Sequence, residues 1–380
     1  MRSLASRRPG TARLAFVASS AIAVGCGSGA THGAGGRAPD ASTTGNSGGT
    51  VGVGGRAPDA STIGNLGGTV GVGGSAMGGS GGASTTMDSG DASRRDSGAS
   101  ALDGGSFAMR QIAAPPTYLG TLNDGATCDT MYRTFGFEPV DRTPARHPLF
   151  LYFVGTTFVS GDVSTNYDCH AARAVSAALA RRGFVALSVE YDNGAIAWLS
   201  DHENQLSCLF TTSKTTSVLA AACALPNVNC DLGIAMWGHS QGALLADLAS
   251  NYDARVRAAW TTGYGGDSRA TLPTSRLRVV NGEGDTGNAT VPGLDQTTGF
   301  TATECPDDGR KQCLRNDGSG WIIVQKVDCV TSSADHCWFD KRSCLDNAET
   351  LEPNWVDRAS TKPFALEANA DWVAATLARP

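Results

Sequence analysis

The pentapeptide Gly238-His239-Ser240-Gln241-Gly242 constrains the fold of this chain more than any other feature. It directly follows the apolar run 232–237 and directly precedes the helix-like segment 243–249. This order predicts a strand, a sharp turn and a helix, with the serine exposed at the turn. At so tight a turn, side chains two residues either side of the serine would collide with the crossing strand and helix, so only glycine fits there cheaply. We therefore predict that Ser240 is a catalytic nucleophile.

The composition divides the chain in two. Residues 27–108 are mainly Gly, Ser, Thr, Ala and Asp, and a segment starting at Gly-Gly-Arg37 is duplicated from Gly-Gly-Arg56. Such a segment cannot bury enough apolar surface to offset the entropy of ordering, so we predict a disordered linker that acts as a flexible tether. Residues 109–380 contain nearly all of the aromatic side chains and suit one large α/β domain.

Residues 1–26 have the features of a targeting segment. Four arginines precede or flank an apolar stretch, 14–24, that is too short to span a membrane stably. The last four residues, Ala-Val-Gly-Cys, resemble a bacterial lipobox. This resemblance implies that Cys26 is the first mature residue and carries a lipid, so the protein would be exported and anchored at the cell surface or outer membrane. Ordinary signal-peptide cleavage nearby and twin-arginine export through Arg7-Arg8 are the alternatives.

The cysteine count independently favours export. Of 11 cysteines, ten remain between Cys128 and Cys344 once Cys26 is set aside. An even number in an exported domain predicts five disulfides, some of them in short loops. The plausible local pairs are Cys223–Cys230, Cys305–Cys313 and Cys329–Cys337. Since the spacings are irregular and no Cys-x-x-Cys is present, we expect no metal site.

The charge distribution argues against several partners. The net charge is −6, only 17% of residues are charged, and the predicted folded part has no Lys/Arg cluster. Nucleic-acid binding would need a basic surface, so we exclude it. Besides the short stretch 14–24, the sequence contains no apolar run that would suggest a transmembrane span. We expect a monomer without a cofactor.

Apolar runs in residues 109–380 alternate with helix-like segments. Five runs are predicted as strands besides the one before Ser240: 149–154, 184–189, 256–261, 277–280 and 321–325. Residues 131–137 alternate like an edge strand, and 198–224 are predicted to be partly helical. A helix is predicted to start at the capping box Thr165-x-x-Asp168 and to end at Gly183. Strands separated by helices indicate a mostly parallel sheet with helices on both faces.

This order of elements, with the serine turn in the middle, resembles the α/β-hydrolase fold over about residues 115–380. In general outline the chain resembles secreted bacterial esterases and lipases of the dienelactone-hydrolase and polyester-hydrolase branch. The fold hosts many chemistries, so the resemblance constrains the reaction class better than the substrate.

The resemblance implies a triad in the chain order nucleophile, acid, base. His336 is the one histidine of six that follows Ser240, and we predict that it is the general base. Asp285 follows the 277–280 strand and is the predicted acid. Asp267, one strand earlier, and Glu283 are the alternative acids.

An oxyanion hole needs two backbone N–H groups directed at the developing negative charge. Gln241, at the start of the helix after the nucleophile, should supply one of them. Thr156 is the predicted second donor, with Thr157 as the alternative, although relatives commonly carry His-Gly where this chain has Val-Gly. His239 should point away from the nucleophile and pack. The long segment 286–320 between two strands is a candidate lid or binding loop.

These features predict an exported serine hydrolase that cleaves a small or polymeric carboxylic ester through an acyl-enzyme. Polyester depolymerase and peptidase activities of the same fold are alternatives. From another class, the domain could be an inactive surface-displayed binding module.

Overall fold

The structure is a computed structural model, and it describes residues 107–122, 124–140, 146–156, 166–193, 202–306, 308–331, 333–340 and 350–379. The predictions for the targeting segment 1–26, for Cys26 and for Thr157 lie outside the described residues, and so does the linker 27–108 except for its last two residues. At these two positions the predicted boundary is wrong, because the Phe107 N–H donates to the Arg181 carbonyl oxygen at 2.8 Å and the Ala108 carbonyl oxygen accepts the Val140 N–H at 2.7 Å.

Eleven strands and seven helices are present in the described part of the chain. The strands are β1 (Met109–Gln111), β2 (Tyr118–Gly120), β3 (Thr130–Tyr132), β4 (Thr134–Pro139), β5 (Leu149–Phe153), β6 (Val185–Val189), β7 (Ile234–His239), β8 (Val256–Thr262), β9 (Leu277–Gly282), β10 (Gln312–Leu314) and β11 (Gly320–Val324). The helices are α1 (His170–Ala180), α2 (Glu203–Phe210), α3 (Val218–Cys223), α4 (Gln241–Leu248), α5 (Val291–Thr298), α6 (Pro353–Val356) and α7 (Leu366–Ala378).

The main sheet has nine strands in the order β1-β4-β6-β5-β7-β8-β9-β11-β10. Its six central strands, from β6 to β11, run parallel, and antiparallel pairs close both edges. Every residue of β5 is buried, which is why its sequence is a continuous apolar run rather than an alternating one. The prediction of a mostly parallel sheet covered on both faces is confirmed.

Parallel strands end at the same edge of the sheet. Five of them are consecutive neighbours in the sheet: β5, β7, β8, β9 and β11. The loops that follow these strands therefore meet at the carboxyl edge of the sheet. The predicted site residues that the structure describes lie in the segments that follow these strands. The parallel topology therefore concentrates them at one edge.

The prediction that residues 131–137 form one strand at the edge of the sheet is wrong. This segment divides into β3 and β4, and β4 lies inside the sheet between β1 and β6. The strand outside it, β1, has three residues that are all exposed, so no apolar pattern marked it in the sequence.

The predicted capping box is also wrong. Helix α1 begins at His170 with Cys169 as its N-cap, and Thr165 lies outside the described residues. Asp168 belongs to a short 3-10 turn, and its carboxylate pairs with Arg173 at 3.0 Å. The acid thus holds a side chain of the first helical turn instead of capping. The predicted end at Gly183 is confirmed by its positive φ of 86° just after the helix.

The segment 286–320 is largely built into the domain, contrary to the lid interpretation. Helix α5 packs against β9 and β11, and Trp321 Nε1 donates a 2.7 Å hydrogen bond to Asp295 Oδ1 of that helix. Strand β10 extends the sheet beyond β11. Most of the segment therefore covers the sheet and its edge.

Three disulfides join described residues: Cys128–Cys208, Cys223–Cys230 and Cys305–Cys313. The last two are predicted local pairs. Cys169 and Cys337 are disulfide-bonded as well. The predicted pair Cys329–Cys337 is not among the bridges between described residues, because short spacing biases pairing without determining it. The total of five stays a prediction.

Within the described ranges, none of the helices has the length and apolar character needed to cross a membrane.

Candidate active site

The turn that carries Ser240 joins β7 to α4. Ser240 has φ 54° and ψ −118°, a backbone conformation that is costly for a residue with a side chain. Its N–H donates a 2.8 Å hydrogen bond to the carbonyl oxygen of Thr262 in β8. A Cβ on Gly238 would overlap the carbonyl of Gly242, and a Cβ on Gly242 would overlap that of Phe153. The two glycines are therefore required by close approach, as the sequence indicated.

The imidazole of His336 is hydrogen-bonded to the carboxylate of Asp285. His336 Nδ1 lies 2.8 Å from Asp285 Oδ2, and the carboxylate is buried. A carboxylate can only accept, so Nδ1 carries the proton and Nε2 is left with its lone pair. That tautomer is the one a general base needs, because the free nitrogen can take a proton.

His336 and Ser240 lie in loops that follow β11 and β7, two strands of the same parallel set. Gly263 follows Thr262, the residue that accepts the Ser240 N–H. A Cβ on Gly263 would lie 2.9 Å from His336 Cε1. Gly155, in the loop after β5, approaches from the other side, since a Cβ there would lie 3.1 Å from the Ser240 Cβ. Ser240, His336 and Asp285 are thus brought to one region of the carboxyl edge.

The alternative acids are engaged elsewhere. Asp267 forms an ion pair with Arg269 at 2.8 Å and also accepts the N–H of that arginine. Burial opposes ionisation of Asp267, but the hydrogen bonds from Arg269 prevail and lower its pKa. Glu283 Oε1 accepts the backbone N–H of Lys326 at 2.6 Å. Of the three candidate acids, the structure joins only Asp285 to His336.

His239 packs beneath the base loop rather than facing the nucleophile. Its ring lies 4.7 Å from the His336 ring and 5.0 Å from Phe339. Nε2 donates to the carbonyl oxygen of His336 at 2.9 Å. Burial, and secondarily the neighbouring His336, lowers the pKa of His239 to about 3. His239 is therefore neutral at working pH and adds no charge beside the base.

The two predicted oxyanion residues are linked through their side chains. Thr156 Oγ1 donates a 3.0 Å hydrogen bond to Gln241 Oε1. Gln241 is the first residue of α4, where backbone N–H groups have no partner within the helix. The side-chain contact fixes the loop after β5 against the start of this helix.

Two residues that sequence reasoning missed hold the same loop. Asn193 Nδ2 donates to the carbonyl oxygen of Gly155 at 2.6 Å, and the Tyr191 hydroxyl donates to that of Val154. Within a trans peptide the C=O and the next N–H point in opposite directions, so the Asn193 contact directs the Thr156 N–H away from Asn193. Both residues lie just after the buried strand β6, which neighbours β5 in the sheet. This position in the sequence could have predicted their contact with the loop after β5.

No group of three or more metal-ligating side chains is present in the part of the chain that the structure describes. Position and hydrogen bonding give the site the parts needed for acyl transfer through an activated serine.

No protein-family profile and no curated protein matches the chain. Among solved structures, it is similar to a putative dienelactone hydrolase from Klebsiella pneumoniae subsp. pneumoniae, at 14% identity and TM-score 0.36, over 72% of this chain and 100% of that chain. An α/β serine hydrolase without a lid from Xanthomonas campestris matches at 12% identity and TM-score 0.36, over 62% and 90%. An esterase from Rhizomucor miehei matches at 11% identity and TM-score 0.39, over 72% and 84%.

The fold class follows from the architecture itself. A mostly parallel sheet is covered by helices, and a strained serine turn connects its central strand β7 to a buried helix. This is the arrangement of a nucleophile elbow. The chain has an α/β-hydrolase fold.

Proposed function

We propose that the chain is an exported serine hydrolase that cleaves carboxylic esters, with Ser240 as nucleophile, His336 as base and Asp285 as acid. The observation that carries the proposal is the 2.8 Å hydrogen bond between His336 Nδ1 and Asp285 Oδ2, formed beside the strained Ser240 turn. A buried carboxylate that orients an imidazole next to a serine is the general arrangement of an activated nucleophile.

In the acylation step, Ser240 Oγ attacks the ester carbonyl carbon while His336 Nε2 takes the hydroxyl proton. The tetrahedral oxyanion is stabilised by the backbone N–H groups of Gln241 and Thr156. As the intermediate collapses, the carbon–oxygen bond to the alcohol breaks and His336 returns the proton to the leaving alkoxide. Asp285 stabilises the imidazolium that forms in between.

In the deacylation step, water attacks the acyl-enzyme and His336 takes its proton. Collapse of the second tetrahedral intermediate breaks the bond to Ser240 Oγ, and the proton on His336 restores the serine hydroxyl. The products are the carboxylic acid and the free serine, so no cofactor is required.

Export is part of the proposal. The disulfides between described residues support an oxidising compartment, because such bridges persist mainly outside the reducing cytosol. The proposed route is a lipoprotein-type signal that ends at Cys26, with the lipid as membrane attachment.

The test is fluorophosphonate labelling together with a panel of para-nitrophenyl esters of increasing acyl length, on wild type, Ser240→Ala and His336→Ala. Labelling should require Ser240, and Ser240→Ala should abolish turnover while the near-UV circular dichroism is retained. Because triad members act as a unit, His336→Ala should lower kcat about 10⁴-fold or more.

Other outcomes distinguish the alternatives. Release of acid from a polyester film faster than from any soluble ester would indicate a depolymerase, and cleavage of peptide but not ester substrates would indicate a peptidase. Absence of labelling and of all turnover in the folded protein would indicate a binding module. Parent-rate ester hydrolysis by Ser240→Ala would refute the serine mechanism.

A further inference from the structure

The carboxylate of Asp285 has a second hydrogen-bond donor besides His336. Asn288 Nδ2 lies 3.1 Å from Asp285 Oδ1 and 3.3 Å from Oδ2. Asp285 is only 8% exposed, so water contributes little to satisfying its oxygens. A buried carboxylate without enough donors is costly, and the amide of Asn288 supplies one without adding charge.

Asn288 is itself held in place by backbone and side-chain contacts. Its N–H donates to the carbonyl oxygen of Asp285 at 2.9 Å, which closes the loop after β9. Its own carbonyl oxygen accepts a 2.6 Å hydrogen bond from Nδ2 of Asn281. Asn281 belongs to β9 and is fully buried, so it anchors Asn288 to the rigid sheet.

Asn281 also joins the acid loop to the loop that borders the base. Its Oδ1 accepts the Gly263 N–H at 2.7 Å, and its Nδ2 also donates to the Tyr264 carbonyl at 3.1 Å. Gly263 is the residue whose Cβ position lies against His336. The two asparagines therefore connect the elements on both sides of the Asp285–His336 pair.

We propose that Asn288 is a positioning residue for the acid of the triad: it orients the Asp285 carboxylate toward His336, and Asn281 fixes Asn288 for this task. This role rests on the proposed function. The position requires a neutral donor. A methyl group there would leave a buried carboxylate oxygen without its donor, and a carboxylate would place a second negative charge at about 3 Å from the first.

The charged surroundings of the pair are limited. His239, which faces His336 from below, is neutral because burial lowers its pKa to about 3. The other carboxylates in 283–290 and 325–336 turn to different partners: Glu283 accepts the Lys326 N–H, Asp328 pairs with Lys362, and Asp335 accepts from the Ser333 hydroxyl at 2.6 Å. A charge introduced at position 288 would therefore act directly on Asp285 and His336.

The experiment compares wild type with Asn288→Ala and Asn288→Asp, using para-nitrophenyl acetate over a range of pH. Asn251→Asp is the matched control, since Asn251 bonds to Arg269 and Thr271. Asn288→Ala should lower kcat about tenfold, with KM changed less than about twofold. The reason is that a misplaced Asp285 stabilises the transition state less but leaves the binding of the ester unchanged. Asn251→Asp should behave as wild type.

The pH profile separates positioning from a purely structural role. In Asn288→Asp the second carboxylate favours the imidazolium form of His336, so the acid limb of the kcat/KM profile should move up by about one half to one pH unit. Loss of folding alone would lower activity without moving this limb. Thermal melting of each variant provides the fraction folded, to which kcat is normalised.

The positioning role of Asn288 and the proposed function can be refuted separately. If wild type hydrolyses the ester but both Asn288 variants keep the wild-type kcat and the wild-type acid limb, the positioning role is overturned and the triad stands. If wild type neither hydrolyses the ester nor reacts with fluorophosphonate, the proposed function is refuted, and the positioning role with it.

Discussion

At the scale of single residues, Asp285 and Asp267 illustrate how surroundings assign different tasks to the same side chain. Each follows a strand of the sheet, and both were candidates for the triad acid. Asp285 is bonded to His336, whereas Asp267 is bonded to Arg269. Their sequence contexts are alike, and only the partner separates them.

Asp285→Asn should therefore lower kcat by roughly three to four orders of magnitude, because an amide no longer holds the imidazole in the required tautomer or stabilises the imidazolium. Asp267→Asn should leave kcat within a few-fold of wild type, since it removes only one charge of a partly exposed ion pair. Steady-state kinetics on one soluble ester measure both. The acid assignment would be wrong if only Asp267→Asn lost activity.

At the scale of elements, helix α4 carries a buried acid that the proposed mechanism does not use. Asp247 is 2% exposed, and its Oδ2 accepts the Asp267 N–H at 2.9 Å. Burial raises the pKa of Asp247 to about 7, which outweighs the lowering effect of that hydrogen bond. The helix that follows Ser240 thus has one carboxyl group that folding favours in its protonated form.

This carboxyl should make stability depend on pH. Because the pKa of Asp247 is raised in the folded state, its contribution is fully present below about pH 4 and is lost as the pH rises through about 7. Asp247→Asn removes the titration but keeps an oxygen acceptor for the Asp267 N–H. Relative to wild type, the variant should gain about 2 kcal/mol or more in unfolding free energy between about pH 4.5 and pH 8.

Urea denaturation of the disulfide-intact proteins at both pH values measures that gain. The comparison between variant and wild type cancels the other titrating groups, which both proteins share. An unfolding free-energy difference that is the same at the two pH values would contradict the assignment of a raised pKa to Asp247.

At the scale of the whole molecule, residues 27–106 and the α/β domain differ in composition enough to suggest separate tasks. The linker is proposed to hold the domain at a distance from the membrane surface. About 80 residues of Gly-rich coil have a root-mean-square span close to 50 Å, enough to lift a domain clear of lipid headgroups. The lipid on Cys26 is proposed to provide the membrane attachment.

Deleting residues 27–106 should therefore leave hydrolysis of a small soluble ester unchanged, because a Gly-rich tether contributes little to a folded domain. The deletion keeps Phe107 and Ala108, whose backbone groups bond to Arg181 and Val140. Cys26→Ser should move the protein from the membrane to the soluble fraction. Kinetics of the purified deletion variant and fractionation of cells expressing Cys26→Ser measure the two effects.

The two halves of this prediction can fail separately. Lost activity in the deletion variant would mean that the linker packs on the domain. A Cys26→Ser protein that stays with the membrane would refute the lipid anchor.

Much of the architecture could be predicted from local sequence. The buried strands β5 to β9 and β11 have mostly apolar sequences because both faces of the sheet are covered. Burial on both faces therefore makes such strands recognisable in the sequence. Short or exposed elements have no such apolar pattern. Strand β1 is fully exposed, and β10 has three residues with one buried, so neither showed a periodicity that could be recognised.

The nucleophile turn was determined by the sequence alone, because two glycines at fixed spacing around Ser240 are a local requirement of close backbone approach. The partner of His336 was decided only by the tertiary structure. Asp285 lies 51 residues from it along the chain, and the order of parallel strands brings the two together. The same holds for Asn281 and Asn193, whose amides bond to the loops after β8 and β5. A hydrogen bond between distant segments depends on strand order and loop path, which no local pattern encodes.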